Sequence, residues 1–133
     1  MDTSKKAIFI KDWILNYVNS MPKKAETLVI GISGGIDSSV SSTLSAMTGL
    51  KTIVLSMPIK QKNTQHDLSL RHQEWLKKNF KNVHGHTLEL DSLFKTFENT
   101  LGKFESEHGM ANSRARLRMT TLYQVAAANN GIV

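Results

Sequence analysis

Nine consecutive residues, Gly31-Ile32-Ser33-Gly34-Gly35-Ile36-Asp37-Ser38-Ser39, hold most of the chemistry this sequence can offer. Glycines let a backbone turn sharply, adopt positive φ and come close to a ligand. The N–H groups of such a turn and of a following helix converge on an anion. Ser33, Ser38 and Ser39 add hydroxyl donors. Asp37 is the odd member, because a carboxylate beside a phosphate repels it unless a cation intervenes. Magnesium takes oxygen ligands from carboxylates and phosphates together, which makes Asp37 a candidate metal ligand at a phosphate cradle. The plainer alternative is a strand–turn–helix junction that uses Ser-Gly-Gly for geometry and Asp37 as an N-cap. The string is neither the P-loop, since no lysine follows, nor G-x-G-x-x-G.

A second constellation, Ala111-Asn112-Ser113-Arg114-Ala115-Arg116-Leu117-Arg118-Met119, is rich in guanidinium groups. Asn112 can cap a helix here. Arg114 and Arg118 are then i,i+4 neighbours on one face while Arg116 points elsewhere, so the three cannot share one ligand. A planar guanidinium holds a carboxylate or phosphate bidentately; a solvated basic face is the plainer reading. His84 and His86 share one side of an expected strand, and no carboxylate at metal-site spacing accompanies them. His66 and His72 are not at i,i+4. Trp13 and Trp75 lie on apolar helical stripes and are expected in the core.

The elements that must position these groups follow from periodicity. Ile10, Trp13, Ile14, Tyr17 and Val18 form one stripe of a helix over residues 4–19. Residues 27–32 form a β-rich apolar run without alternation, the pattern of a strand buried on both faces. A helix is predicted over residues 38–47, with Gly49 closing it, then a second buried strand over 52–57 and a loop over 60–65. Leu68, Trp75, Leu76 and Phe80 predict a helix over 66–79, and residues 83–89 a third strand nearer an edge. Asp91 is expected to cap a helix carrying Leu93, Phe94, Phe97 and Leu101. A mobile stretch over 103–111 precedes the last helix, 112–129. Gly131-Ile132-Val133 reads as the opening of a fourth strand. Apolar strands alternating with helices predict an α/β fold, a doubly wound parallel sheet covered on both faces. Residues 1–133 are expected to form a single domain, or the N-terminal part of a larger one.

Composition narrows the partners. Among 133 residues, 40% are hydrophobic and 21% charged, ordinary globular values that exclude collagen-like and low-complexity chains. The sequence has no cysteine, which removes disulfides, thiolate metal sites and cysteine nucleophiles, and fits a reducing, cytoplasmic location. No apolar run approaches the roughly 20 residues of a membrane-spanning helix, and the N-terminus lacks a signal-peptide pattern. A net charge of +6 suits an anionic partner. Nucleic acid is the less expected one, since most aromatics sit at helical spacings that read as core.

The Gly31–Ser39 string resembles the signature of the ATP pyrophosphatases, the PP-loop or adenine nucleotide alpha hydrolase-like superfamily. Within it, residues 111–119 resemble the N-x-[KQ]-A-R-x-R-M segment of NAD synthetases, with Ala111 and Arg114 as departures from common members. The segment from Met57 to Asp67 is loosely similar to the loop that contacts adenine and ribose. The resemblance implies ATP binding by Gly31, Ile32, Ser33, Gly34, Gly35, Ile36, Asp37 and Ser38, with Gln65 as a candidate, and magnesium on Asp37. It implies contact of Arg116 with deamido-NAD. It also implies an ATP-dependent ligase that amidates deamido-NAD through an adenylated intermediate, releasing AMP and pyrophosphate, as a homodimer. No side chain is marked as a general base. Fewer than thirty residues precede the first strand and cysteine is absent, so ammonia is the expected nitrogen donor. Family members run to about twice this length, and the chain is expected to be the N-terminal half, inactive alone. The alternatives are another PP-loop enzyme, such as a tRNA-modifying ligase, and an inactive nucleotide-binding fragment.

Overall fold

Val, Ile and Leu dominate the two runs that read as buried strands, and these form the middle of the sheet. The computed structural model describes residues 2–60 and 62–133; Met1 and Gln61, the latter within the expected 60–65 loop, lie outside the described residues. Strand β1 (Thr27–Gly31) and strand β2 (Lys51–Ser56) pair in parallel, with Thr27 opposite Lys51 and Gly31 opposite Leu55. Strand β3 (Val83–Thr87) joins the far side of β2, and β4 (Gly131–Ile132) the far side of β1. The resulting order, β3-β2-β1-β4, is the doubly wound arrangement that the alternation of elements predicts.

Successive strand residues point to opposite faces. Val29, Ile53 and Leu55 pack with Phe94, Met110 and Leu122 on one side, beneath helices α4 (Asp91–Thr100) and α5 (Glu107–Ala128). Val54 packs on the other side with Ile32, Ala46, Leu76 and Val83, beneath α2 (Ile36–Met47) and α3 (Asn63–Asn79). Helix α1 (Thr3–Ser20) joins this second side through Val18, against Ala25 and Leu28. Among the described residues no helix is long and apolar enough to cross a membrane.

Several expectations are corrected. Helix α5 begins at Glu107, five residues before Asn112, because Ser106 is its N-cap and accepts from the Gly109 N–H at 3.2 Å. The stretch over 103–111 is therefore a 3₁₀ turn (Gly102–Phe104) followed by the first turn of α5. Asn112 instead donates its side-chain amide back to the His108 carbonyl at 3.2 Å. Asp91 follows the cap position, which Leu90 occupies, and accepts the Lys60 N–H at 2.6 Å. Helix α2 starts two residues early and α3 three, so Gln65 belongs to a helix rather than a loop.

The tryptophans are not core residues. Trp13 is 58% exposed and Trp75 48%, and each stacks on a helical neighbour, Tyr17 at 5.6 Å and His72 at 5.7 Å. Helix α1 has a single buried residue, Val18. Helix α3 buries Ser69, Gln73 and Leu76 rather than the stripe through Leu68 and Trp75. Tyr17 and Phe97 are likewise exposed, and Phe94 is the aromatic side chain that fills the core.

Strand β1 has β2 on one side and β4 on the other: the chain winds outward from β1 through β2 to β3, then crosses back to place β4 on the opposite side of β1. In such sheets a crevice opens beyond the carboxyl end of the strand where the winding reverses. Gly31 ends β1, and the serine–glycine turn begins there.

Candidate active site

The turn is held in shape by its own hydroxyls. Ser33 N–H donates to Ser38 Oγ at 3.2 Å, and the two hydroxyl oxygens lie 3.2 Å apart. Gly35 N–H donates to Ser33 Oγ at 3.2 Å. Ser38 Oγ and Ser39 Oγ both donate to the Gly35 carbonyl, at 3.1 and 2.9 Å. Gly35 is the N-cap of α2 and offers no side chain to the first turn. The plainer reading of Asp37 as the cap is thereby corrected: Asp37 stands in the first turn, exposed, where the helix dipole favours negative charge.

Gly34 is the residue whose freedom the turn requires. Its φ is +93°, and a Cβ there would lie 2.4 Å from the carbonyl oxygen of Gln65 in α3. The turn and the start of α3 are thus in direct backbone contact, which brings Gln65 to the same crevice as Gly31, Ile32 and Ser33.

That crevice encloses about 590 Å³. Its far wall is α5, through Arg114, Ala115, Arg118, Met119 and Leu122, and its rim carries Lys60 and Lys62. No carboxylate lines it among the described residues. Lys60 is turned outward, since its ammonium pairs with Glu98 at 2.7 Å. Arg118 donates from Nε to the Met57 carbonyl at 2.9 Å, which anchors α5 to the end of β2. Burial and neighbouring Arg114 lower the Arg118 pKa, with Asp91 opposing, yet a guanidinium remains charged throughout the physiological range. Arg114 lies over the Phe94 ring at 5.7 Å. A crevice with this charge suits an anion of several charges; of the serine–glycine string it takes Gly31, Ile32 and Ser33, whereas Ile36 and Ser39 line a separate apolar recess with His72 and Trp75.

Arg116 is elsewhere, as the i,i+4 argument requires. It lines a groove of about 570 Å³ between α4 and α5, with Leu93, Phe94, Phe97 and Leu117 among its walls. Helix α5 therefore separates the crevice from the groove. A further cavity of about 680 Å³, across Lys60, is lined by Asp91, Lys95, Glu98 and Glu105, with no element of the serine–glycine turn. His84 and His86 line a shallow recess beside β3, and among the described residues no group of three or more His, Cys, Asp or Glu side chains could hold a metal ion. Arg118 and Lys62 were given no role by sequence reasoning. For Arg118 the signal was available in its i,i+4 pairing with Arg114.

A serine–glycine turn at the switch point of a doubly wound parallel sheet defines a Rossmann-like α/β domain. The NAD synthase family model matches residues 7–133, and the chain belongs to that family. The NH(3)-dependent NAD(+) synthetase of Mesoplasma florum is 35% identical over 129 residues, covering 92% of this chain and 50% of that protein. The NMN synthetase of Francisella tularensis superposes with a TM-score of 0.88 at 30% identity, over 100% of this chain and 53% of that one. The NH3-dependent NAD synthetase of Campylobacter jejuni gives 0.83 at 28% identity, over 98% and 55%. The chain thus spans about half the length of the relatives it matches.

Proposed function

We propose that this chain forms the ATP-binding half of an ammonia-dependent ligase that amidates deamido-NAD to NAD⁺, releasing AMP and pyrophosphate. The observation that carries the reading is the family match over residues 7–133, with a cationic crevice at the serine–glycine turn of the same chain. A carboxylate is a poor acyl electrophile, so ammonia cannot displace its oxygen directly. Transfer of AMP to the carboxylate makes a mixed anhydride: the α-phosphorus–oxygen bond to pyrophosphate breaks as the bond to the carboxylate forms. Ammonia then adds to the acyl carbon, AMP leaves, and a proton is lost to solvent.

The chain's contribution is positioning and charge neutralisation. Gly31, Ile32, Ser33, Gly34, Gly35, Ile36 and Ser38 cradle the phosphates of ATP through N–H and hydroxyl groups, and Gln65 borders the nucleoside. Arg114 and Arg118 add positive charge along the far wall. Asp37 holds magnesium, which neutralises the phosphate oxygens when bound. The donor set fits such an ion only in company with ATP. Asp37 is a single exposed carboxylate, so the remaining oxygen ligands come from phosphate and water. Arg116, set among apolar walls in the α4–α5 groove, binds a phosphate or carboxylate of deamido-NAD while the walls accept an aromatic ring. Leu93 and Phe97, exposed on the same face, support pairing of two copies there. A cytoplasmic location accords with substrates of this kind.

Likeness to an NMN synthetase favours one second reading, in which the deamidated mononucleotide is the acceptor. Family membership favours either nucleotide over tRNA. The chain is assayed alone and with the second half of the M. florum relative, offering ATP, ammonia and each nucleotide in turn. Stoichiometric AMP, pyrophosphate and NAD⁺ from deamido-NAD support the proposal. ADP as product, or a preference for the mononucleotide, contradicts it.

A further inference from the structure

Helix α3 buries two polar side chains one turn apart, Ser69 and Gln73, where an apolar stripe would be ordinary. Their hydrogen bonds have a single consistent direction. Gln73 Nε2 donates to the His86 carbonyl at 2.9 Å and to Ser56 Oγ at 2.7 Å. Ser56 and Ser69 share a short hydroxyl–hydroxyl bond. Ser69 Oγ donates to the Ile32 carbonyl at 2.9 Å. A hydroxyl has one proton, and Ser69 spends its proton on Ile32, so Ser56 must donate to Ser69. The order is Gln73 to Ser56 to Ser69 to Ile32, with all three side chains buried. Gly85 in β3 leaves room for the start of this relay, since a Cβ there would lie 2.5 Å from Gln73 Oε1.

The relay ends on the peptide that opens the phosphate-accepting turn. In a trans peptide the carbonyl and the following N–H point in opposite directions. Fixing the Ile32 carbonyl toward Ser69 therefore fixes the Ser33 N–H toward Ser38 Oγ, which it meets at 3.2 Å. We propose that Ser69, oriented by Ser56 and Gln73, is a positioning residue that sets the plane of the Ile32–Ser33 peptide and so aims the turn at the nucleotide phosphates. Its nucleotide clause rests on the ATP-binding reading above; its geometric clause does not. The relay also ties β3, β2 and β1 to α3 at the carboxyl edge of the sheet, so the turn inherits the rigidity of three strands. Chained hydrogen bonds polarise one another, and a partly satisfied chain in the interior is costly.

The test uses ¹H–¹⁵N amide spectra of the 133-residue chain and its ATP affinity by calorimetry. Ser69→Ala should shift the amides of Ser33, Gly34 and Gly35 and weaken ATP binding by about tenfold, the scale of one unsatisfied buried pair. Ser45→Ala is the control: Ser45 is also buried, but its hydroxyl donates to the Ser41 carbonyl within α2, away from the turn. It should lower stability without moving the turn amides or the affinity. Should Ser69→Ala fail to fold, Gln73→Met keeps the volume, removes the first donor and should move the same amides by less. Folded variants whose turn amides and ATP affinity match the parent overturn the proposal. A parent chain that binds no ATP, while Ser69→Ala still moves the turn, refutes the functional reading and leaves the geometric one standing.

Discussion

Three glycine-to-alanine substitutions separate backbone conformation from contact. At Gly49 the φ is +79° and nothing lies within 4 Å of an added Cβ. Gly49→Ala should therefore cost only the left-handed backbone, about 1–2 kcal/mol. At Gly34 the φ is +93°, and the Cβ would stand 2.4 Å from the Gln65 carbonyl oxygen and 3.2 Å from Gln65 Cγ. The same backbone term applies, with overpacking of about 1–3 kcal/mol added because the obstacle is helix backbone. Gly34→Ala should thus cost about 2–5 kcal/mol in total. Gly35 has a φ of −85° and its nearest neighbour to a Cβ is Ser33 Oγ at 3.3 Å. Gly35→Ala should cost under about 1 kcal/mol as an N-cap change. Urea unfolding of the four proteins supplies the numbers, and ATP affinity shows whether the turn still works. Equal destabilisation of Gly34→Ala and Gly49→Ala, within about 0.5 kcal/mol, would refute the claim that the turn rests on the start of α3.

Asp37→Asn should cost about 0.3–1 kcal/mol of stability, the worth of an exposed negative charge in a helix first turn, and, in the chain supplied with its second half, lower turnover about a hundredfold with a weaker magnesium dependence of ATP binding. Arg116→Ala should weaken binding of deamido-NAD by about ten- to a hundredfold and leave ATP affinity unaltered, checked by titrating each ligand separately. His72 should give a pH step in stability. Burial lowers its pKa below the ordinary 6.5, with the hydrogen bond it donates to the Ser39 backbone opposing. The unfolded chain therefore takes up the proton first as pH falls. Stability is complete above about 6.5, declines between 6.5 and the lower folded value, and levels off below it. His72→Gln should remove that step from unfolding midpoints measured across pH 4–8, assigned as the window bracketing an ordinary histidine.

The sheet was legible because β1 and β2 are apolar on both faces, and only a central parallel strand needs that. The serine–glycine turn was legible because glycine and serine types report backbone geometry and hydroxyl donors directly. Helix starts were not: Ser106 caps α5, but the glycine at position 109 obscures the pattern, and Asn112 offered a stronger local signal. Trp13 and Trp75 misled because an apolar stripe states only that a face is apolar, whereas tertiary packing decides what covers it. The relay through Ser69 and Gln73 was hidden for the opposite reason. Its residues are polar, and in sequence a polar residue reads as surface until a partner such as the Ile32 carbonyl, 37 positions away, is seen.

The proposed assignment of two ligands to opposite sides of α5 is tested most directly by titrating the chain with magnesium–ATP and then with deamido-NAD while following its amide resonances. ATP should move Gly31 to Ser38, Gln65, Arg114 and Arg118 and spare Arg116, and the dinucleotide should then move Arg116 and its neighbours on α4. An ATP response centred on the α4–α5 groove, or none at the serine–glycine turn, would contradict it.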